Sequence, residues 1–218
     1  MIKLKDIKEN PIVRAFILVA DKNLEAMGYT EHGFRHADLT ANIARNILLR
    51  LGYSEREAEL AAISGYLHDI GNVVNREGHC IAGAMIAYEI LHSLGMPLDE
   101  IAQIMSAIGN HDEESGYPIS NISAALIIAD KSDVHYTRVR NPNPSTFDIH
   151  DRVNFAVHRS FLNVDNEAKK IRLELDVDTN QISIMEYFEI FLQRMLLCKR
   201  AADVLGCNFR LVINQLEM

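Results

Sequence analysis

The histidine and aspartate residues of this sequence follow a pattern that could hold a metal ion. His68 and Asp69 stand side by side at the end of an apolar run, in the stretch G-Y-L-H-D-I-G-N. Four further candidates of the same types are His36, His79, His111 and Asp130. Imidazole and carboxylate groups without thiolate suit Mn, Fe, Zn or Co better than a structural Cys-rich zinc site. The residue types therefore predict a metal centre, provided that the fold brings them together.

The candidates are too far apart in sequence for a local zinc loop, so separate helices must position them. We predict a bundle in which each helix contributes one or two ligands to a central site. His36 falls at the start of one predicted helix, His68 at the end of the next, His79 at the start of a third and His111 at the end of a fourth. Asp130 lies in L-I-I-A-D-K, a run too apolar for an unpaired carboxylate.

Helical periodicity and capping signals dominate the first two thirds of the chain. Asn10-Pro11 predicts a cap and a first helical proline, and Ser54 with Glu57 forms a capping box. The predicted helices run from Asn10-Pro11 to about Gly28, from Arg35 to about Leu51, from Ser54 to near Gly71, and over about 79–94, 97–110 and 119–135.

The pattern changes after N-P-N-P-S-T at residues 141–146, which we interpret as a linker. A short helix is expected around 149–161. Residues 171–178 alternate apolar and acidic side chains as a half-buried strand does, and 208–214 predict a second strand after a helix from Ser183 to about Leu205. The fold class is therefore mainly α, with a helical domain over residues 1–160 and a small β-α-β appendage over 161–218. Two strands alone make a weak sheet, so we expect the appendage either to pack on the helical domain or to pair with a second subunit in a homodimer.

The composition limits the function classes. Lys and Arg number 22 against 30 Asp and Glu, a net charge of −8, which argues against general nucleic-acid binding and against anionic membranes. Three cysteines without framework spacing, a charged start and the absence of an apolar run of ~18 residues predict a cytoplasmic protein. A bound divalent metal could still attract a small phosphorylated ligand.

The pattern His36…His68-Asp69…Asp130 resembles the signature of the HD-domain metal-dependent phosphohydrolases, which are helical. The resemblance covers roughly residues 30–140, through H-A-D-L-T-A-N-I-A, L-H-D-I-G and L-I-I-A-D-K-S-D. It implies one divalent metal held by His36, His68, Asp69 and Asp130. His79 and His111 resemble the subset with a dinuclear centre, in which Asp69 bridges to a second metal.

The segment N-H-D-E-E-S-G-Y-P at residues 110–118 partly resembles the HD-GYP subfamily, which cleaves cyclic di-GMP. Asp112 stands where that subfamily has a second histidine, and Asn72 replaces its lysine after H-D-x-G. A cyclic dinucleotide is therefore one candidate substrate.

We predict a phosphohydrolase that binds one or two divalent ions (Mn, Fe, Zn, Co or Mg) and cleaves a phosphate ester, with a nucleotide as the expected substrate. His68 and Asp69 would act at the reacting centre, and Asp133 would orient a ligand or position water. Lys131 and Arg138 are predicted to bind substrate, since a guanidinium matches phosphate geometry. Two alternatives stay open: a non-catalytic nucleotide-binding regulator, and an HD-type di-iron oxygenase.

Overall fold

The structure, a computed structural model, describes residues 1–218. Its nine α-helices are α1 (Leu4–Glu9), α2 (Pro11–Ala26), α3 (Phe34–Arg50), α4 (Glu55–Leu67), α5 (His79–Ser93), α6 (Leu98–Gly109), α7 (Asn121–Lys131), α8 (Ile149–Ala156) and α9 (Ile184–Val204). Short 3-10 helices cover Ile70–Val73, Tyr136–Arg138 and Pro144–Thr146. The strands are β1 (Val157–Asp165), β2 (Lys170–Val177), β3 (Asn208–Ile213) and β4 (Leu216–Glu217). The chain is mainly α with a small C-terminal sheet, as the sequence predicts.

The helix starts follow the capping signals. The Asn10 side chain accepts the backbone N–H groups of Ile12 and Val13, and Pro11 opens α2 without needing a donor. Ser54 and Glu57 form the predicted capping box at the start of α4. The helix ends at Leu67, so His68 and Asp69 lie between its last turn and the 3-10 turn that follows.

Two glycines allow the close helix contacts that assemble the ligand-bearing ends. A Cβ at Gly65 of α4 would lie 2.9 Å from the backbone of Ala41, so α3 and α4 approach backbone to backbone. The start of α3 thereby meets the end of α4. Gly71, in the 3-10 turn, faces the first turn of α5 so closely that a Cβ would overlap the carbonyl oxygen of His79.

The appendage differs from the predicted two-stranded unit. Its sheet has four strands in the order β1-β2-β3-β4, with β1 antiparallel to β2 and β3 antiparallel to β4. The β2-α9-β3 segment pairs in parallel, as the predicted β-α-β unit requires. The predicted helix over 149–161 is wrong in its second half, because α8 ends at Ala156 and β1 begins at Val157. Four strands remove the reason for expecting a dimer, which stays an untested prediction.

One hydrophobic core spans the helices and the sheet. It includes Leu126 of α7, Phe191 of α9 and Leu173 of β2, all fully or almost fully buried, and α9 packs against α7. The division at residue 160 stays a prediction, since the two parts share this core. No helix is both long enough and apolar enough to span a bilayer.

Candidate metal centre

The six predicted ligands meet at one end of the helical bundle. His36 lies in the first turn of α3, His68 caps the end of α4, His79 opens α5 and His111 follows α6. Asp69 comes directly after His68, and Asp130 lies in the last turn of α7. All four imidazoles are buried, and each carboxylate keeps a small exposed edge. The centre is therefore built from five separate helices, as the wide sequence spacing predicts.

Each imidazole is held in one tautomer by the contact of its Nδ1 atom. The four contacts are His36 Nδ1 to Asp133 Oδ2 at 2.7 Å, His68 Nδ1 to the Gly65 carbonyl at 2.8 Å, His79 Nδ1 to the Arg76 carbonyl at 3.0 Å and His111 Nδ1 to the Ile108 carbonyl at 2.7 Å. Carbonyl and carboxylate oxygens only accept, so Nδ1 must donate in every case. In the neutral ring, Nε2 then carries a lone pair.

The first group of donor atoms comprises His36, His68 and Asp130. The two Nε2 atoms lie 3.2 Å apart, and they lie 3.3 and 3.5 Å from Asp130 Oδ1. Donors about 2.1 Å from a common ion are separated by roughly 3.0–3.5 Å, so these spacings fit a coordination sphere. Two Nε2 atoms that face each other in a buried site need a proton or a metal ion between them.

The second group comprises His79 and His111, whose Nε2 atoms lie 3.3 Å apart. The Cys80 thiol also belongs here, with Sγ 3.5 Å from His79 Nε2. Burial raises the pKa of this thiol to about 12, so it is protonated in the metal-free protein. No cysteine was predicted for the centre from the sequence, because Cys80 alone shows no ligand spacing.

Asp69 lies between the two groups and turns one oxygen to each. Oδ2 is 3.3 Å from His68 Nε2, whereas Oδ1 is 3.6 Å from His79 Nε2 and 3.9 Å from His111 Nε2. The Asn72 amide donates to Oδ1 at 3.0 Å and fixes the rotation of the carboxylate. This is the arrangement that a bridging carboxylate needs, so the residues could hold one or two divalent ions.

Asp133 supports the centre from behind His36. Besides the His36 ring, its carboxylate binds the Arg35 guanidinium through two contacts, at 2.8 and 3.2 Å. The Arg138 Nε atom lies 3.5 Å away. Asp133 is almost fully buried and lies outside the pocket that the other carboxylates line. Its placement favours the predicted orienting role over contact with a reacting atom.

The two predicted substrate-binding cations are already engaged with protein groups. The Lys131 ammonium lies 2.6 Å from Glu113 and 2.8 Å from Asp130. Arg138 donates to the carbonyl oxygens of Glu31 and Asp133 and is buried. Both residues line the pocket over the centre. Their contact with a phosphate stays a prediction.

The clustered charges shift the pKa values of the ligands. Burial raises the pKa of the Asp69 carboxyl, but the neighbouring His68 outweighs it and holds that pKa well below its usual range. The pKa of the Asp130 carboxyl is also held well below its usual range against the effect of burial, by Lys131 first and then by His68. Burial lowers the pKa of His68, but Asp69 and Asp130 raise it to about 10. Burial, followed by the charge of His68, lowers the pKa of His111 to about 3. The metal-free centre therefore keeps a proton on His68.

Three adjoining cavities give access to the centre. A small polar pocket of about 20 Å³ lies directly over the ligands. A cavity of about 300 Å³ lies beside it, between the loop after α2 and the start of α8, and another of about 490 Å³ lies over the start of α5. Arg76 and Arg194 line all three. Arg76 precedes His79 by three residues, so the sequence alone places it near the ligands. Nothing in the sequence links Arg194 to them.

Comparison with known proteins finds a family model, a relative and a solved structure that resemble this chain. Residues 33–135 match the family model of the HD domain. The uncharacterized protein MJ1020 of Methanocaldococcus jannaschii is 27% identical over 187 residues, with 75% of this chain and 71% of that protein covered. A crystal structure of a predicted HD superfamily hydrolase from an uncultured Thermotogales bacterium is 22% identical, with a TM-score of 0.45 over 62% of this chain and 75% of that one.

The segment that matches the HD-domain model, residues 33–135, is a little under half of the chain. All six predicted ligands lie within that segment, which is the part of the chain in which the resemblance was found. The finer resemblance to the HD-GYP subfamily stays a prediction. Tyr117 of the Gly-Tyr-Pro segment is more than half exposed and lines none of the three cavities over the centre.

Proposed function

We propose that the chain is a metal-dependent phosphohydrolase that cleaves a phosphate ester with a metal-activated water. The observation that carries the proposal is the convergence of four imidazole Nε2 atoms on the carboxylates of Asp69 and Asp130. Their Nδ1 contacts turn the Nε2 atoms toward these carboxylates, and His68 would give up its proton to bind a metal.

The charge of the lining supports an anionic substrate. The polar pocket is lined by four cations and four carboxylates, namely Arg76, Lys131, Arg138 and Arg194 against Asp69, Asp112, Glu113 and Asp130. These charges cancel, so each bound divalent ion leaves an excess of two positive charges. A phosphate group is the common metabolite group that matches this excess, although the chain as a whole has a net charge of −8.

The protein groups prepare the site for this reaction. A bound divalent ion lowers the pKa of its water and neutralises phosphate oxygens. Asn72 holds the bridging rotation of Asp69, and Asp133 fixes the ring of His36. Lys131 neutralises Asp130 from the side opposite His36 and His68, so this carboxylate stays ionised in the buried centre.

A nucleotide is the substrate that we carry forward. The 300 Å³ cavity next to the centre is within the range of small-molecule sites, and Tyr29 in its wall offers an aromatic face. A cyclic dinucleotide would need more than this cavity, so a mononucleotide fits it better.

The proposal is tested with purified protein reconstituted with Mn²⁺ and freed of excess metal. Elemental analysis should give one or two ions per chain, and a panel of nucleotides and other phosphate esters should include a hydrolysed compound. Asp69→Ala should reduce turnover more than about 100-fold, because even residues that only orient metal ligands contribute 10–100-fold.

The matched control is Asp99→Ala, which makes the same change at an exposed position in the first turn of α6. It should retain full activity. Wild-type turnover in Asp69→Ala would disprove the assignment. A metal-loaded protein that binds nucleotide but hydrolyses no ester would identify a regulatory binding protein instead.

A further inference from the structure

The C-terminal appendage contributes a side chain to the metal pocket. Helix α9 packs against α7, the helix that carries Asp130, and this contact places Arg194 at the pocket rim. The Arg194 Nε–H donates to Glu113 Oε1 at 2.8 Å, and the guanidinium lies 4.9 Å from the centre of the Phe191 ring. No protein acceptor contacts Nη1 or Nη2, although the side chain is only one quarter exposed. Two donor groups are thus held in place without a partner.

Arg76, which lies between α4 and α5, also presents partly unpaired donor groups to the pocket. Its Nη1 atom lies 3.3 Å from His79 Nε2 and 4.0 Å from Asp69 Oδ1, and Nη2 lies 3.9 Å from Asp112. None of the carboxylate contacts is within hydrogen-bond range. The only close acceptor is the His79 lone pair, which a metal would take. The guanidinium is held by stacking on Tyr29, at 5.5 Å from the ring centre.

These contacts differ from those of a structural arginine in the same protein. Arg35 satisfies its guanidinium with two contacts to Asp133 and one to Glu31. Arg76 and Arg194 instead point partly unpaired donors at cavities that adjoin the metal centre. Paired guanidinium groups with free forks suit the oxygens of a phosphate group. A metal-loaded centre adds an excess of positive charge. Together with this charge, the two guanidinium groups favour the dianion of a phosphate monoester over the monoanion of a phosphate diester.

The 300 Å³ cavity indicates what the phosphate is attached to. Only two of its lining residues are hydrophobic, and one wall is the start of α8, with Asp148 and His150. Both side chains are more than half exposed and are 3.6 Å apart, so they keep hydrogen-bonding capacity for a ligand. A polar wall with an acidic acceptor suits an alcohol that carries several hydroxyl groups.

We propose that Arg76 and Arg194 bind the phosphate group of a phosphate monoester, and that its polyhydroxylated alcohol, a sugar or a nucleoside, occupies the cavity beside α8. The appendage then serves as the part of the chain that completes the substrate site. This inference rests on the proposed function for the reaction, but phosphate binding can be measured without turnover.

The first experiment measures the binding of inorganic phosphate to the Mn²⁺-loaded full-length protein by calorimetry. Arg194→Gln should weaken binding by about 10–100-fold, the range for hydrogen bonds to charged groups. Arg194→Lys should recover only part of the loss, because an ammonium lacks the two-pronged geometry. Arg200→Gln, at an exposed position on the same helix, is the control and should bind phosphate like the wild type. The metal content should stay unchanged in all three variants.

Equal phosphate affinity in Arg194→Gln and Arg200→Gln would overturn the proposal, and so would a wild-type protein that binds no phosphate. Loss of hydrolysis with intact, Arg194-dependent phosphate binding would contradict the proposed function alone. The second experiment compares a nucleoside 5′-monophosphate and a hexose 6-phosphate with inorganic phosphate. The ester that binds more tightly identifies the alcohol as a nucleoside or a sugar. The ratio of its affinity to that of inorganic phosphate should shrink in His150→Ala. If neither ester binds more tightly than inorganic phosphate, the proposed cavity for the alcohol is wrong.

Discussion

Asp133 contacts His36 of the candidate metal centre but does not line the pocket over it. Its carboxylate fixes the proton of His36 on Nδ1 and is itself held by the Arg35 guanidinium. Burial raises the pKa of the Asp133 carboxyl, but Arg138 and His36 outweigh burial and hold it far below its usual range. A permanent negative charge behind the ring increases the basicity of Nε2, which faces the metal.

Asp133→Asn should therefore weaken metal binding by about 10–100-fold, since it removes the charge that polarises the His36 ring. The measurement is competition for Mn²⁺ or Zn²⁺ with a chromophoric chelator, with far-UV circular dichroism to verify folding. Glu31→Gln is the control, because it changes the other carboxylate partner of Arg35 and leaves the His36 contact intact. Equal weakening in both variants would indicate a general loss of structure and contradict the orienting role.

Metal binding should release about one proton near neutral pH. His68 has a raised pKa of about 10 in the metal-free protein, so its ring is cationic at pH 7, whereas a metal ligand must be neutral. The release should fall toward zero as the pH rises above 10, where the ring has already lost the proton. Calorimetric metal titrations in two buffers of different ionisation enthalpy measure this number. A binding enthalpy independent of the buffer would contradict it.

Residue types and their positions on helices were sufficient to predict which six side chains meet. The structure places all six in one cluster, and their role as metal ligands stays a prediction. Asp133 was predictable because it follows Asp130 by one helical turn. Arg194 was not, since its place depends on the packing of α9 against α7, which no local pattern encodes. Arg138 was predicted to meet phosphate from its chemistry alone, and sequence gives no sign that backbone carbonyls of Glu31 and Asp133 occupy it.

Among the elements, the 3-10 turn after α4 depends on a single glycine. Gly71 faces the carbonyl oxygen of His79 and the backbone nitrogen of Gly83 without room for a side chain. This contact sets the distance between the turn after Asp69 and the first turn of α5. The spacing of the two halves of the metal centre therefore depends on a missing Cβ.

Gly71→Ala should destabilise the protein by about 1–3 kcal/mol, the usual range for overpacking, and should lower metal occupancy by displacing His79. Urea unfolding and elemental analysis measure the two effects. Gly109→Ala is the matched control, because a Cβ there meets nothing within 4 Å and α6 gains a better helix former. Normal stability and metal content in Gly71→Ala would show that the turn can move without harm.

Helices α2 to α7 and α9 were predicted to within about one helical turn because their signals are local, whereas α1 was not predicted. Caps at Asn10 and Ser54 and apolar periodicity define them without tertiary information. Strand β1 was missed because it lies at the sheet edge, where only Val157 and Val164 are buried and no strict alternation develops. The first residues of β1 fall inside the predicted helix over 149–161, whereas in the structure they pair with β2.

The whole molecule shares one core, so the helical part and the appendage should unfold together. Differential scanning calorimetry should give a single transition, with a calorimetric enthalpy close to the van't Hoff value. A metal at 100 times its dissociation constant should stabilise this single transition by about 2.7 kcal/mol, and chelation should reverse the gain. Two separate transitions, with only one sensitive to metal, would instead support independent domains divided near residue 160.

The packing of α9 on α7 also orders events while the chain is being synthesised. All six ligands precede residue 131 and leave the ribosome well before α9, which starts at Ile184. Until α9 is synthesised, the part of α7 that it covers is exposed. The core around the helix that bears Asp130 is then incomplete. An ion bound at this stage would stabilise the nascent helices, because it would bind only where they have come together. Arrival of α9 then closes the core and brings Arg194 to the site as its last component.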